Sequence, residues 1–199
     1  MPRRLAALLA AALLALAAAG CGGDEEGASS DDVPPGAVAM VGDIEIGSEQ
    51  LAKQVKTMVR AQRSTGGDVS KAQRDQLETQ ALAVILTRAA LEQEAAKRGI
   101  EVSDADVRKR WQTAAKQQLR TKQAQRRFLR SHRLDAILDQ FRLQFLTERI
   151  HAQIDKQAGG GYQGHQAVTE FQNDFQQRLQ DRTTCADGYT APNCGNPQD

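Results

Sequence analysis

Arg98-Gly99-Ile100-Glu101-Val102-Ser103-Asp104-Ala105-Asp106-Val107 is the stretch that decides the architecture of this 199-residue chain. It contains the end of one helix and the start of the next. Lys97 and Arg98 place cations at the negative helix end, and Gly99 can take the left-handed cap. Ser103, with an acid three residues on at Asp106, has the form of a capped helix start. Upstream, Leu77, Ala81, Val84, Ile85, Leu91 and Ala95 lay an apolar face along a helix from about Ser70 to Arg98. Downstream, Val107, Trp111, Ala114, Ala115 and Leu119 continue the second helix at the same period.

The pattern extends in both directions. Toward the amino end, Ala37 to Ile46 reads AVAMVGDIEI, two short apolar runs around Gly42-Asp43, which predicts a hairpin with a two-residue turn. Ser48 then caps a helix bearing Leu51, Val55, Met58 and Val59, ended by Thr65-Gly66-Gly67-Asp68. Toward the carboxyl end come a short helix over Lys122 to Ser131 and a longer one over Leu134 to Lys156. In the longer helix, Ile137, Leu138, Phe141, Leu143, Phe145, Leu146, Ile150 and Ile154 surround most of the surface, as in the central member of a bundle. Gly159-Gly160-Gly161 reads as a flexible joint before a last helix, Gln166 to Arg182, with Val168, Phe171, Phe175 and Leu179 on one face. The expected fold is mainly α: a bundle of five to six helices behind a short N-terminal β-hairpin.

The amino terminus has a different composition. Arg3 and Arg4 precede fifteen apolar residues, Leu5 to Ala19, and the chain turns polar directly after Cys21. That is the form of a secretory signal, and it is shorter than the roughly 18 to 20 residues needed to span a bilayer. Ala18-Ala19-Gly20-Cys21 resembles the lipobox of bacterial lipoproteins, with Ala18 where that family prefers Leu. The resemblance implies cleavage before Cys21, lipid on its thiol, and an extracytoplasmic protein held to a membrane through that lipid. An ordinary signal with a free cysteine is the competing reading, and Arg3-Arg4 fits a twin-arginine route poorly. Residues 22–35, GGDEEGASSDDVPP, are too small and acidic to fold, and read as a tether. The domain boundaries expected are 1–20 for the leader, 21–36 for the tether, 37–182 for the helical domain and 183–199 for a disulfide-closed tail.

With Cys21 lipidated, Cys185 and Cys194 remain as an even pair in an oxidising space, closing a ten-residue loop. A metal pair is the alternative, but no histidine lies in the tail. Cutting before Cys21 removes Arg3 and Arg4 and takes the formal charge from +1 to −1, so net charge points to no particular partner. Its distribution is more telling, since Arg108 to Arg133 holds ten Lys or Arg and no Asp or Glu. Lys122, Arg126, Arg130 and Arg133 recur at helical spacing, a candidate contact for acidic surfaces, or else a solvated face. His132 and His151 flank or sit on the long helix and His165 falls in the linker, and all three read as exposed histidines and not as metal ligands. No nucleophile, phosphate-cradling loop or metal motif appears, so no catalytic residue, cofactor or metal is expected, and nucleic acid is not an expected partner.

Val41-Gly42-Asp43-Ile44-Glu45-Ile46, the Gly99 to Val107 joint, Phe128-Leu129 and the following long helix stand in an order that resembles the N-terminal chaperone domain of the SurA and PrsA foldases, over about Val38 to Arg182. In those proteins a parvulin isomerase domain usually sits between the last two helices. Here only about ten residues, Lys156 to Gln166, separate them, far below the 50 or so of a small domain. The resemblance implies ATP-independent binding of unfolded exported polypeptides, and not the isomerase activity. The alternatives are a structural or interaction lipoprotein with a single partner, or a family-named prolyl isomerase without its catalytic domain. Whether Leu77, Val84, Ile85 and the Phe141 to Leu146 cluster are core or an open groove is left open by the residues.

Overall fold

The computed structural model of the chain describes residues 33–194; the expected leader, Cys21 and most of the expected tether lie outside the described residues. Two strands, β1 (Ala37–Val41) and β2 (Ile44–Gly47), lead into six helices: α1 (Ser48–Gly66), α2 (Lys71–Lys97), α3 (Asp104–Gln118), α4 (Lys122–Ser131), α5 (Leu134–Gln157) and α6 (Gly161–Asp181). A third strand, β3 (Thr183–Cys185), follows. The fold is mainly α, as the periodicity predicts.

The hairpin turns at Gly42-Asp43, with Gly42 at φ +57°, a conformation that glycine adopts without a Cβ clash. The structure then departs from a simple hairpin. β3 pairs antiparallel with β1 on its free side, Met40 opposite Thr184, giving the order β2-β1-β3. The residues assigned from sequence to a separate tail therefore begin inside the sheet, where Thr183, Thr184 and Cys185 are all buried.

Ser48 is not the cap of α1. Gly47 holds that position with extended backbone, and Ser48 is the first helical residue, its N–H donating to the Gly36 carbonyl at 3.3 Å. α2 begins with a capping box: Ser70 Oγ accepts from the Gln73 N–H, and Gln73 Oε1 accepts from the Ser70 N–H at 2.9 Å. It ends in a Schellman closure, with the Ile100 N–H on the Ala95 carbonyl at 2.8 Å, the Gly99 N–H on Ala96 at 3.1 Å, and Gly99 at φ +65°. Ser103 then accepts from the Asp106 N–H and donates to its carboxylate at 2.7 Å. α5 grips this joint at both ends: Gln153 Nε2 donates to the Arg98 carbonyl at 3.3 Å, Arg142 donates to the Val102 carbonyl at 2.8 Å, and Arg142 also pairs with Asp104. Local caps and long-range bonds thus fix the same ten residues.

The core gathers Val38, Ala39 and Val41 of β1, Ile46, Leu51, the inner face of α2, Leu146, Ile150 and Ile154 of α5, and Phe171, Phe175 and Leu179 of α6. The central helix is α2, not the Leu134–Lys156 helix expected from sequence: α2 buries Ala81, Leu82, Ile85, Leu86, Ala89, Leu91 and Ala95. α5 is apolar all round because its two halves face different neighbours. Its C-terminal half enters this core. Phe141 in its N-terminal half meets Trp111 edge-on at 5.6 Å, and Trp111 stacks on Phe128 of α4 at 5.8 Å. Phe145, between the halves, carries Arg110 and Arg149 over its ring, each at 5.0 Å.

α6 starts at Gly161, five residues before the expected start. Gly159, Gly160 and Gly161, expected as a flexible joint, all have positive φ and form a hydrogen-bonded turn, with the Gly160 N–H on the Asp155 carbonyl at 2.8 Å. The connection between α5 and α6 is Ala158-Gly159-Gly160, too short to hold a domain at that point. A Cβ on Gly164 would run into the Asp155 side chain and lie 3.2 Å from its backbone carbonyl, so the absent side chain lets α5 and α6 approach closely.

Candidate functional site

One face of the molecule carries an open groove. Leu51, Val55 and Val59 stand one turn apart on α1; Leu51 and Val59 are buried, and Val55 is half-buried. Arg74 and Glu78 from the start of α2 line it from a second helix, and Tyr189 from the disulfide loop lines it as well. The hollow measures about 690 Å³ and also touches Ser48, Ala52, Lys56, Arg60 and Arg63. That volume is in the range of sites that hold a few side chains of a ligand.

The Tyr189 wall is held by the disulfide. Cys185 and Cys194 are bonded, with Cα atoms 5.6 Å apart. Between them, the Ala186 N–H donates to the Val38 carbonyl at 3.0 Å, tying the loop to the sheet, and the Tyr189 N–H donates to Ala186 at 3.0 Å. Ala191 is buried in the core. The loop from Cys185 to Cys194 is therefore a strap over the bundle end.

The rim of the groove is charged. Lys56, Arg60 and Arg63 run at helical spacing beside the apolar row, all exposed, and Arg74 joins them from α2. Glu78 is the one acid among the residues lining the groove. None of these cations has an ion-pair partner among the described residues; the pairs there join Arg88 to Asp139, Arg98 to Glu94, Arg110 to Glu148, Arg133 to Asp135 and Arg142 to Asp104.

The residues singled out from sequence fall elsewhere. Leu77 and Val84 are half-buried, Ile85 and Leu146 are buried in the core, and Phe141 and Phe145 are half-buried in the aromatic contacts above. Of the basic set, Lys122, Arg126 and Arg130 lie exposed on α4, a helix with no fully buried residue among those described. Arg133 is separated from them. α4 ends at Ser131, and Arg133 caps α5, gripping Asp135 through two hydrogen bonds of 3.0 and 2.6 Å. That hydrogen-bonded guanidinium holds the Asp135 carboxyl below its usual value. Cys21 lies outside the described residues.

Among the histidines, His132 stacks on Phe128 with ring centres 4.2 Å apart. His151 is half-buried, and burial lowers its pKa below the ordinary value. His165, expected in a linker, is exposed on α6. Among the described residues there is no group of three His, Cys, Asp or Glu placed to hold a metal ion, and no helix is long and apolar enough to cross a membrane. The sequence signal for the groove was present, with Lys56, Arg60 and Arg63 flanking Leu51, Val55 and Val59. That signal does not distinguish a groove from core, because an apolar stripe on a helix is ordinarily core.

Compared with known proteins, residues 3–154 match the family model described as the SurA-like N-terminal domain. No curated protein and no solved structure matches the chain. The match includes α1 and α2, which form the floor and basic rim of the groove. It stops within α5, so α6, β3 and the disulfide strap lie beyond it.

Proposed function

This chain belongs to the SurA-like N-terminal domain family, and from that membership we propose that it is a lipid-anchored, extracytoplasmic holdase for unfolded exported polypeptides. Membership supports a folding-related role, and binding of this kind needs neither ATP nor metal. The observation that carries the reading is the groove on α1, where half-buried Val55 and exposed Ala52 meet an open hollow between the buried Leu51 and Val59. A segment of unfolded client would lay apolar side chains over Val55 and against Tyr189. The lipid on Cys21 and the acidic residues after it would hold the domain at a membrane surface, where exported chains emerge.

The test is suppression of aggregation. The protein at equimolar ratio to an unfolded client is expected to slow light scattering, and Val55→Glu, which places a charge on the groove floor, is expected to weaken that effect severalfold while circular dichroism stays unchanged. Absence of suppression by the unaltered protein would overturn the reading.

A structural lipoprotein with one stable partner is the second reading. It is favoured by the depth to which the core residues Leu82, Leu86 and Ile150 are enclosed, out of reach of any client. A pull-down from envelope extract separates the two: many weak clients support the holdase, and one stoichiometric partner supports the scaffold.

A further inference from the structure

We infer, resting on the client-binding reading above, that the α1 groove selects polypeptide segments carrying carboxylates beside their apolar side chains and turns away segments flanked by lysine or arginine. Two parallel rows carry the argument. Leu51, Val55 and Val59 repeat every four residues along α1, and Lys56, Arg60 and Arg63 repeat at four and three residues alongside them. Arg74 of α2 extends the cationic row, against the single acid Glu78. The whole chain has a formal charge of only +1, so this is a local concentration of charge and not general basicity. The four cations are free of carboxylate partners among the described residues. Unpaired like charges along a hydrophobic hollow set a field that favours a partner of opposite sign.

The groove suits a short segment. From Ser48 to Arg63, α1 rises about 22 Å at 1.5 Å per residue, a span of about seven residues of extended chain. A client stretch of that length with two or three apolar side chains would pack over Val55 and Ala52 and against Tyr189, and acids next to them would reach Lys56, Arg60 and Arg63. Each exposed pair contributes little, but three or four acting together amount to about a tenfold preference.

The experiment uses the full chain and three fluorescent 16-residue peptides that share one set of Leu and Phe positions and differ only in carrying Glu, Gln or Lys between them. Fluorescence anisotropy is expected to rank affinities Glu above Gln above Lys, with about tenfold between the extremes. The ranking is expected to collapse in about 1 M salt, where the Debye length is about 3 Å. It is expected to reverse in the surface variant Arg60→Glu/Arg63→Glu. Equal binding of all three peptides, lost together in Val55→Glu, would leave the groove as a client site and overturn the charge selection. No binding by any peptide would overturn both. A further variant neutralises Asp24, Glu25, Glu26, Asp31 and Asp32. If it gained more than tenfold affinity for the Glu peptide, the groove's occupant would be the chain's own acidic stretch, and the assignment to clients would be overturned.

Discussion

Asn193 Nδ2 donates to Thr87 Oγ1 at 3.2 Å, a bond between residues 106 positions apart that fastens the disulfide loop to the middle of α2. Because Tyr189 lies within that loop, the shape of the groove depends on the Cys185–Cys194 bond. Replacing both cysteines by alanine is expected to remove about 2 to 3 kcal/mol on the chain-entropy account of a ten-residue loop, lowering Tm by about 5 to 10 °C. Differential scanning calorimetry reads the shift, and an unchanged Tm would show that the strap contributes nothing to the fold.

The close crossing of α5 and α6 makes a second prediction. Alanine at a helical glycine ordinarily adds up to about 1 kcal/mol of stability. At Gly164 the added methyl meets the Asp155 side chain and carbonyl, so Gly164→Ala is expected to destabilise by about 1 to 3 kcal/mol despite the better propensity. The Asp155 side chain can rotate away but its carbonyl cannot, so Asp155→Ala should recover only part of the loss. Urea midpoints of the two single variants and the double variant measure it.

His151 gives a pH dependence of definite sign. Burial holds its pKa below the ordinary 6.5, with Phe171 edge-on at 6.2 Å and Arg98 and Arg178 over that same phenyl ring. As pH falls below 6.5, the unfolded chain takes up a proton that the folded chain still refuses, so stability declines until the folded value is passed. His151→Gln is expected to remove that slope. Denaturant midpoints between pH 8 and 5 would show it, and parallel profiles for the two proteins would exclude the role.

The exposed cations of α4 make a fourth. The triple variant Lys122→Gln/Arg126→Gln/Arg130→Gln is expected to bind anionic vesicles severalfold more weakly at low salt, whereas Arg133→Gln, whose parent side chain already grips Asp135, should change little. Co-sedimentation of the unlipidated domain with and without anionic lipid decides it. Equal binding to both vesicles would leave the face merely solvated.

Mass spectrometry tests the anchor directly. The mature protein from membranes is expected to begin at Cys21 with acyl mass on it, and Cys21→Ser is expected to appear in the soluble fraction. An unmodified thiol on a soluble product would remove the membrane from the proposal.

What the sequence made legible was local. The Gly99 and Ser103 caps, the Ser70 start of α2 and the Gly42-Asp43 turn are each set by residues within a few positions, and the structure has all of them. Ser48 misled because a serine before an apolar stripe ordinarily caps, whereas here its N–H serves the Gly36 carbonyl. β3 was hidden because three residues hold no readable alternation, and its pairing with Ala39 to Val41 spans nearly the whole domain. The row Lys122, Arg126, Arg130, Arg133 looked continuous, yet the helix ends between its last two members. The groove is not legible in the spacing because Leu51 and Val59 are buried while Val55 between them is only half-buried, a difference that a four-residue repeat does not encode.

Because β1 lies between β2 and β3, order of delivery matters. A polypeptide that emerges amino end first presents its middle strand early and the second neighbour of that strand last. Throughout that interval one edge of β1 has no backbone partner, the condition that invites stray pairing with other chains. Until its own closing residues arrive, this domain is thus itself an unfinished chain with an edge to protect.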